Sequence, residues 1–449
     1  MRHDLVEKYD LRLPRYTSYP TAPHFTPQVT GETYGAWLKE LPLDTELSLY
    51  FHIAYCAEMC WFCGCHTKIT KRYDPIAVYL EALLAEVDLV ASRLPGRFKA
   101  KHVHFGGGTP SILTGDDFKR VMDKVREHFD LTPEAEVAIE LDPRTADEDY
   151  IIAMREAGVT RASLGVQDFN LKVQEAVNRV QPYDLVAEIA SLLRKHGISE
   201  LNMDLIYGLP YQTTDSVVET IDQAITLKPR RISLFGYAHV PWMRKHQTLI
   251  PDEALPGMGE RWSQYDAAQD RLKEHGYVAV GLDHFAAPDD EMAEALANHT
   301  LHRNFQGYTT DTATTLLGFG ASGIGWLPQG YVVNDGGIHA YQRMVHDGLL
   351  PTARGRAIDD EDRLRRDVIE RLMCDLEVDL AAVCAPHGVD PSHFTPEIEA
   401  MKDLEDDGVL IRTGWHLRVT DDGRPLVRAV AAKFDQYLKA GEQRHSKAV

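Results

Sequence analysis

Between residues 47 and 237 the chain alternates six short β-rich runs with helical patterns, and few folds accept that rhythm. The runs fall at 47–53, 102–105, 136–141, 160–166, 201–206 and 231–237. The helical patterns fall at 75–94, 115–129, 147–157, 182–196 and 214–227. Thr114 before Gly-Asp-Asp-Phe and Asp147 before Glu-Asp-Tyr-Ile are predicted N-caps. The runs are mostly apolar, as strands covered on both faces must be, so the prediction is parallel βα units. Periodicity leaves a doubly wound sheet and a partly closed barrel equally open. Both place function at the C-terminal ends of strands. The polar and glycine-rich motifs all follow runs: a cysteine cluster, Gly-Gly-Gly-Thr-Pro (106–110), Leu-Asp-Pro-Arg-Thr (141–145), Gly-Val-Gln-Asp-Phe (165–169), Tyr-Gly-Leu-Pro (207–210) and Tyr-Ala-His-Val-Pro (237–241).

Four of the six cysteines lie within ten residues, Cys56 to Cys65, in a chain of 449. A disulfide framework spreads its cysteines through a small secreted domain, whereas a cluster like this holds a metal. Cys56, Cys60 and Cys63 have C-x3-C-x2-C spacing. Iron takes thiolate ligands, and one short loop can bring three of them round a four-iron cluster. The fourth iron is then open to the amino and carboxylate groups of S-adenosylmethionine, and one electron from the reduced cluster can break a carbon–sulfur bond to release a 5′-deoxyadenosyl radical. Cys65 is too near Cys63 to be an obvious fourth ligand. The competing reading is a structural zinc site using all four thiols, although zinc sites more often pair two distant C-x2-C halves. Cys374 falls in the apolar phase of a helical pattern and reads as core filler, as does Cys384.

The glycines at 106–108 let backbone approach a ligand closely or form a tight βα turn with no ligand, and no Gly-Lys-Ser/Thr follows to make a phosphate loop. Gly-Phe-Gly-Ala-Ser-Gly (318–323) fits a dinucleotide fingerprint in spacing only. No β-rich run is evident before it and no acidic residue follows at the right distance. Glu140, Asp142, Gln167, Arg179 and Asp204 stand at or just after run ends, where carboxylates can accept from ribose hydroxyls or an amine and Arg179 can neutralise a ligand carboxylate.

The net charge is −20, which excludes nonspecific binding to nucleic acid or anionic membrane as a role of the whole chain. Apolar content of 44% and charged content of 26% suit an ordinary globular protein. No apolar leader or bilayer-length stretch is evident, so a cytoplasmic location is expected. Residues 1–40, rich in Pro, Tyr and Thr, read as an arm lying over a catalytic region at 41–345. Beyond it, helical runs at 359–376 and 395–407, an alternating hairpin and a last helix near 423–438 suggest a winged-helix-like domain at 346–449.

The cysteine loop, with His-Phe-Gly-Gly-Gly-Thr-Pro, Gly-Val-Gln-Asp-Phe-Asn, Asn-Met-Asp-Leu-Ile-Tyr-Gly-Leu-Pro, Leu-His-Arg-Asn-Phe-Gln-Gly-Tyr-Thr-Thr and the arm's Pro-Arg-Tyr-Thr-Ser-Tyr-Pro-Thr-Ala, resembles the oxygen-independent coproporphyrinogen III oxidases of the radical S-adenosylmethionine superfamily. One departure is Ala54, where the family commonly has Pro. The resemblance implies an α/β fold: a three-quarter (β/α)6 partial barrel with an N-terminal arm and a mostly helical C-terminal domain. It implies a four-iron, four-sulfur cluster on Cys56, Cys60 and Cys63 and two molecules of S-adenosylmethionine. Tyr50, Gly107, Glu140 and Ile324 would hold the one on the cluster. Phe62, Cys65, Gly108, Thr109, Gln167, Arg179, Asp204 and Ala238 would surround the second. Two propionates of coproporphyrinogen III would become vinyls, giving protoporphyrinogen IX, with Cys65 near the chemistry and Arg15, then Arg303, as candidates for the substrate carboxylates. A flavodoxin- or ferredoxin-like electron donor, an unidentified electron acceptor and a monomeric chain complete that expectation. Haem chaperones and haem-opening radical methyltransferases share the barrel. Both are disfavoured by the arm motif and by Cys65, where the chaperones usually carry Phe.

Overall fold

The computed structural model describes residues 13–438 together with Leu5, Lys8 and Tyr9. The expected arm is not wholly irregular. It contains α1 (Gly31–Lys39), capped by the Thr30 side chain accepting from the Thr33 amide. Tyr34 and Leu38 of α1 enter the main core, whereas Tyr16 and Tyr19 pack into a second core with the C-terminal residues. The arm therefore links both cores.

The predicted βα units are present. In chain order they are β1 (Leu47–Ile53), α2 (Asp74–Ala91), β2 (Phe98–Gly107), α3 (Gly115–His128), β3 (Phe129–Leu141), α4 (Glu148–Glu156), β4 (Arg161–Gln167), α5 (Tyr183–Lys195), β5 (Glu200–Tyr207), α6 (Thr214–Thr226) and β6 (Arg231–Gly236). The N-caps act as read: the Thr114 side chain accepts from Asp117 N–H, and that of Asp147 from Tyr150 N–H. Short antiparallel β7 (Val278–Val280) and β8 (His284–Ala286) extend one edge; β9 (Thr315–Phe319), β10 (Ile324–Leu327), β11 (Gly330–Asn334) and β12 (Thr352–Ala357) extend the other. The sheet order is β12-β11-β10-β9-β1-β2-β3-β4-β5-β6-β8-β7, and its two ends do not pair. Strands β9 and β1 to β6 run parallel. This is the partial barrel.

The glycine motif at 318–323 is thus preceded by a strand, contrary to the sequence reading. Only five residues long and fully buried, β9 gives no alternation to detect. The segment still lacks a dinucleotide fold, because β10 rather than a helix follows. Phe51 on β1 stacks on Phe105 at 5.0 Å and on Phe319 at 4.9 Å, its register partners on both neighbouring strands. Such pairs are worth about 0.5–1.5 kcal/mol each beyond burial, and they fix the register just ahead of the cysteine loop.

Helix α2 clamps the glycine turn. Glu86 Oε2 accepts from Gly320 N–H at 2.7 Å and from Tyr341 O–H at 2.6 Å, and Oε1 accepts from Asn334 Nδ2 at 2.6 Å. Seven residues earlier on the same face, Tyr79 O–H donates to the His52 carbonyl at 2.6 Å and its oxygen accepts from Ala321 N–H at 2.9 Å. Burial outweighs these bonds and pushes the Glu86 carboxyl up to about 7. A carboxyl raised in the fold stabilises it below the unfolded value, and that contribution is lost as pH rises from about 4.5 towards 7. Relative to Glu86→Gln, the native chain is therefore expected to lose about 1.4 kcal/mol per pH unit across that window. Urea unfolding of both proteins at pH 5, 6 and 7 checks this. A constant difference would show that Glu86 is ionised throughout.

The C-terminal region has its own core, built on α7 (Asp360–Asp375) and a small sheet of β13 (Glu377–Asp379), β14 (Leu410–Thr413) and β15 (His416–Val419) in the order β13-β15-β14. The predicted hairpin is β14–β15. Helix 395–407 is two short helices, Thr395–Glu399 and Lys402–Asp406, and the last helix shrinks to Val427–Ala431 between 3-10 turns. Pro425 confines any helix start to its own turn, and all five residues of Val427–Ala431 are buried, so no polar face extends it. Strand β12 pairs with β11, so the barrel sheet runs to Ala357, past residue 345. Cys374 and Cys384 are fully buried. Among the described residues no helix is long and apolar enough to cross a membrane.

Candidate active site

A cavity of about 750 Å³ opens at the C-terminal ends of the parallel strands. Its wall includes Cys56, Cys60, Cys63 and Cys65 from the loop after β1, and Gly107, Gly108 and Thr109 from the end of β2. Phe62, Glu140, Gln167, Arg179 and Asp204 also line it. Tyr50, Ala238, Ile324 and Arg15 do not belong to that wall. Tyr50 points its hydroxyl at His52 Nδ1, 3.1 Å away, and stacks on His104. Ala238 stands at the rim, where the buried Gln247 amide donates both to its carbonyl at 3.3 Å and to that of Phe62 at 3.0 Å. Ile324 opens β10, with its carbonyl packed against Gly318.

Arg15 belongs to the arm. It lies exposed beside Asp283 and Arg428, and its backbone carbonyl accepts from Arg303 Nε at 3.3 Å. Against the cost of burial, the His284 hydrogen bond with the charges of His284, Arg303 and Arg15 hold the Asp283 carboxyl at about 2. The arm thus brings a cationic group to the seam between barrel and C-terminal region.

The glycines at the end of β2 serve packing. At Gly108 a Cβ would meet the Tyr55 carbonyl oxygen and Thr67 Oγ1, each at 2.5 Å; at Gly106 it would meet Glu140 Oε1 at 2.8 Å. Gly108→Ala is therefore expected to displace the backbone that leads into Cys56. The expected result is a loss of about 1–3 kcal/mol of stability, together with reduced iron uptake on anaerobic reconstitution. Native stability and iron content in the variant would show that the strand end has room to spare.

Each cysteine has a distinct environment. Cys56 Sγ accepts from Thr67 Oγ1 at 3.2 Å and Thr109 Oγ1 at 3.3 Å. Cys60 Sγ accepts from Arg179 Nη1 at 3.4 Å and Arg144 Nη2 at 3.5 Å. Cys63 Sγ accepts from the Cys65 amide at 3.3 Å. The Cys65 side chain, its amide, burial and nearby Arg179 together leave the Cys63 thiol lowered to about 7, while the Cys65 thiol is pushed well up by the same pairing and by burial. Cys65 is exposed, but to the cavity it lines.

Asp142 lies between two guanidiniums, Arg144 at 2.6 Å and Arg179 at 3.0 Å. Burial opposes its charge, yet the Arg144 hydrogen bond and the Arg179 charge hold the carboxyl below the usual range. Arg179 therefore already has a carboxylate partner, which the sequence reading had reserved for a ligand. Ser163 Oγ and Asn202 Nδ2 donate to Asp204 at 2.8 and 2.9 Å, and burial raises that carboxyl. Sequence reasoning missed Arg144, Glu86 and Gln247. Arg144 alone had a signal, its place in a strand-end motif.

The donor set fits a cluster better than one ion. Among the described residues, the group whose ligand atoms all lie within 4.8 Å of one another is Asp88, Glu127 and His128, not the thiols. Three cysteine sulfurs lining one cavity are the soft donors that an iron–sulfur cluster takes. An open parallel barrel with three cysteines in the loop after its first strand defines a radical S-adenosylmethionine enzyme. Residues 50–224 match the model of the radical SAM superfamily, and 358–426 that of the HemN C-terminal domain. The chain is 51% identical over the full length of both proteins to the oxygen-independent coproporphyrinogen III oxidase of Bradyrhizobium diazoefficiens. It is 41% identical to the Paracoccus denitrificans protein of that name, over 98% of this chain and 97% of the other. The solved coproporphyrinogen III oxidase (HemN) of Escherichia coli, described as a radical SAM enzyme, superposes with a TM-score of 0.92 at 35% identity, covering 97% of this chain and 99% of that one. The chain belongs to the oxygen-independent coproporphyrinogen III oxidases. It is an oxidoreductase whose cofactors are a four-iron, four-sulfur cluster and S-adenosylmethionine.

Proposed function

We propose that the chain oxidatively decarboxylates two propionates of coproporphyrinogen III to vinyl groups, each propionate losing one hydrogen atom, one carbon dioxide and one electron, the electron passing to an external acceptor, and so gives protoporphyrinogen IX for haem synthesis. The observation that carries this reading is the loop of Cys56, Cys60 and Cys63 on a cavity whose other walls are Gly107, Glu140, Gln167, Arg179 and Asp204. When bound and reduced, the cluster with S-adenosylmethionine supplies abstraction of hydrogen from an unactivated carbon–hydrogen bond.

Cys56, Cys60 and Cys63 hold the cluster. Glu140, Gly107, Tyr50 and Ile324 form the seat of the S-adenosylmethionine on it. Phe62, Cys65, Gly108, Thr109, Gln167, Arg179, Asp204 and Ala238 surround a second molecule. Asp204, its carboxylate already held by Ser163 and Asn202, is oriented to accept from a ligand hydroxyl or amine. Arg15 and Arg303 meet substrate carboxylates where the arm crosses the barrel. Arg303 Nη1 is buried without a hydrogen-bond partner, which favours it for an anionic group. The arm is residues 1–40, and the barrel extends through β12 before the C-terminal module begins. The enzyme works as a cytoplasmic monomer with a flavodoxin- or ferredoxin-like electron donor.

The test is anaerobic incubation of reconstituted protein with coproporphyrinogen III, S-adenosylmethionine and a low-potential reductant. Protoporphyrinogen IX with release of two carbon dioxide molecules per porphyrin supports the reading. Cleavage of S-adenosylmethionine with the porphyrinogen unchanged would overturn it.

A further inference from the structure

Arg144 belongs to neither ligand shell, yet its guanidinium is aimed at a cluster cysteine. It follows β3 in Leu-Asp-Pro-Arg-Thr. Its amide and Nε both donate to Asp142 Oδ1 at 3.0 Å, and Nη2 donates to Oδ2 at 2.6 Å. Nε also reaches Oδ2 at 3.3 Å, so three of the four bonds come from the guanidinium and leave it little freedom. Nη2 so held also reaches Cys60 Sγ at 3.5 Å. Arg179 Nη1 approaches the same sulfur at 3.4 Å while donating to Asp142 Oδ2 at 3.0 Å. Asp142 thus sets two cations on one thiol. The Asp142 and Arg179 side chains are each 9% exposed and that of Arg144 is 16%, so water screens these charges weakly. Glu58, 3.6 Å from Arg144 Nη1, is 55% exposed and offsets less.

We propose that Arg144 is a positioning residue that raises the reduction potential of the cluster through Cys60. The inference rests on the reading that Cys60 is a ligand. Reduction adds one negative charge to the cluster, which spreads over its sulfurs. Donors and cations on a ligand sulfur stabilise the reduced state more than the oxidised one. Arg179 shares the contact, but Gly165 also engages it, through Nη2 at 2.6 Å, and its placement among the second ligand's residues mixes two roles. Arg144 separates them.

The experiment compares native protein, Arg144→Gln and Arg144→Lys after anaerobic reconstitution. Iron per chain is measured first. The cluster is then titrated with dithionite in the presence of mediators and followed by electron paramagnetic resonance. Arg144→Gln should bind native iron. At a fixed solution potential its reduced-to-oxidised ratio should be about tenfold lower, equal to about 59 mV for one electron. Arg144→Lys, which keeps the charge and loses the fork, should fall between them. A native potential in Arg144→Gln overturns the proposal. Loss of iron from both variants also overturns it, because Arg144 would then serve loop assembly alone. Native protein that binds no reducible cluster sinks the ligand reading instead, a distinct result.

Discussion

Alanine at Cys56, Cys60 or Cys63 is expected to leave the anaerobically reconstituted protein without a stable cluster and without cleavage of S-adenosylmethionine. On the proposed assignment each thiolate would carry one iron corner, and among the described residues the side chains hydrogen-bonded to these sulfurs are poor replacements. Thr67 and Thr109 next to Cys56 are donors to its sulfur, as are Arg144 and Arg179 next to Cys60. A hydroxyl donor is a poor substitute for a thiolate on iron, and a guanidinium has no lone pair to offer. Cys65 is a spare thiol in the same loop, but it stands two residues past Cys63 and further from Cys56 and Cys60, so it does not occupy any of the three vacated positions in the C-x3-C-x2-C spacing. Iron and sulfide analysis, the visible absorption of the cluster and assay of 5′-deoxyadenosine are the measurements. A single variant of the three that keeps full iron and full cleavage would make the ligand assignment wrong. Zinc retained by native protein in place of iron would return the four-thiol reading.

Cys65→Ser is expected to behave in the opposite way, keeping the iron and losing the product. Cys65 lines the cavity, and the Cys65 backbone N–H donates to Cys63 Sγ at 3.3 Å. Serine keeps that backbone bond, and hence the cluster loop. It replaces a thiol lining the cavity with a hydroxyl, whose hydrogen is harder to donate and which is smaller beside the second ligand. Protoporphyrinogen IX formation should fall about a hundredfold, the scale of a misplaced reactive group. Iron near native with little product supports this. Lost iron would make Cys65 a ligand. Unchanged turnover would make it a bystander and remove one of the two sequence features that separate an oxidase from a haem chaperone.

Much of the barrel was legible because its signals are local. The caps at Thr114 and Asp147 bond three residues ahead, and an apolar run bounded by a turn reports a buried strand over a few residues. The cysteine loop is also local, with three cysteines in eight residues. Strand β9 and the antiparallel strands after it were not legible. They are short, and β9 and β11 are buried throughout, so their only evidence is the strands beside them.

The composition of the loop and the order of strand-end motifs alone determined that this chain carries an iron–sulfur loop at the mouth of a parallel βα sheet. Spacing along the chain sets which ligands one turn can gather. Tertiary structure alone decided that the sheet curls open rather than lying doubly wound, and that Glu86 holds a turn 234 residues away. It also decided that Arg144 and Arg179 share Asp142 and converge on Cys60. Such contacts depend on where strands stand in the sheet. A charged residue reads the same in sequence whether it faces water or a thiol, and only the packed neighbours remove the water and fix its partner.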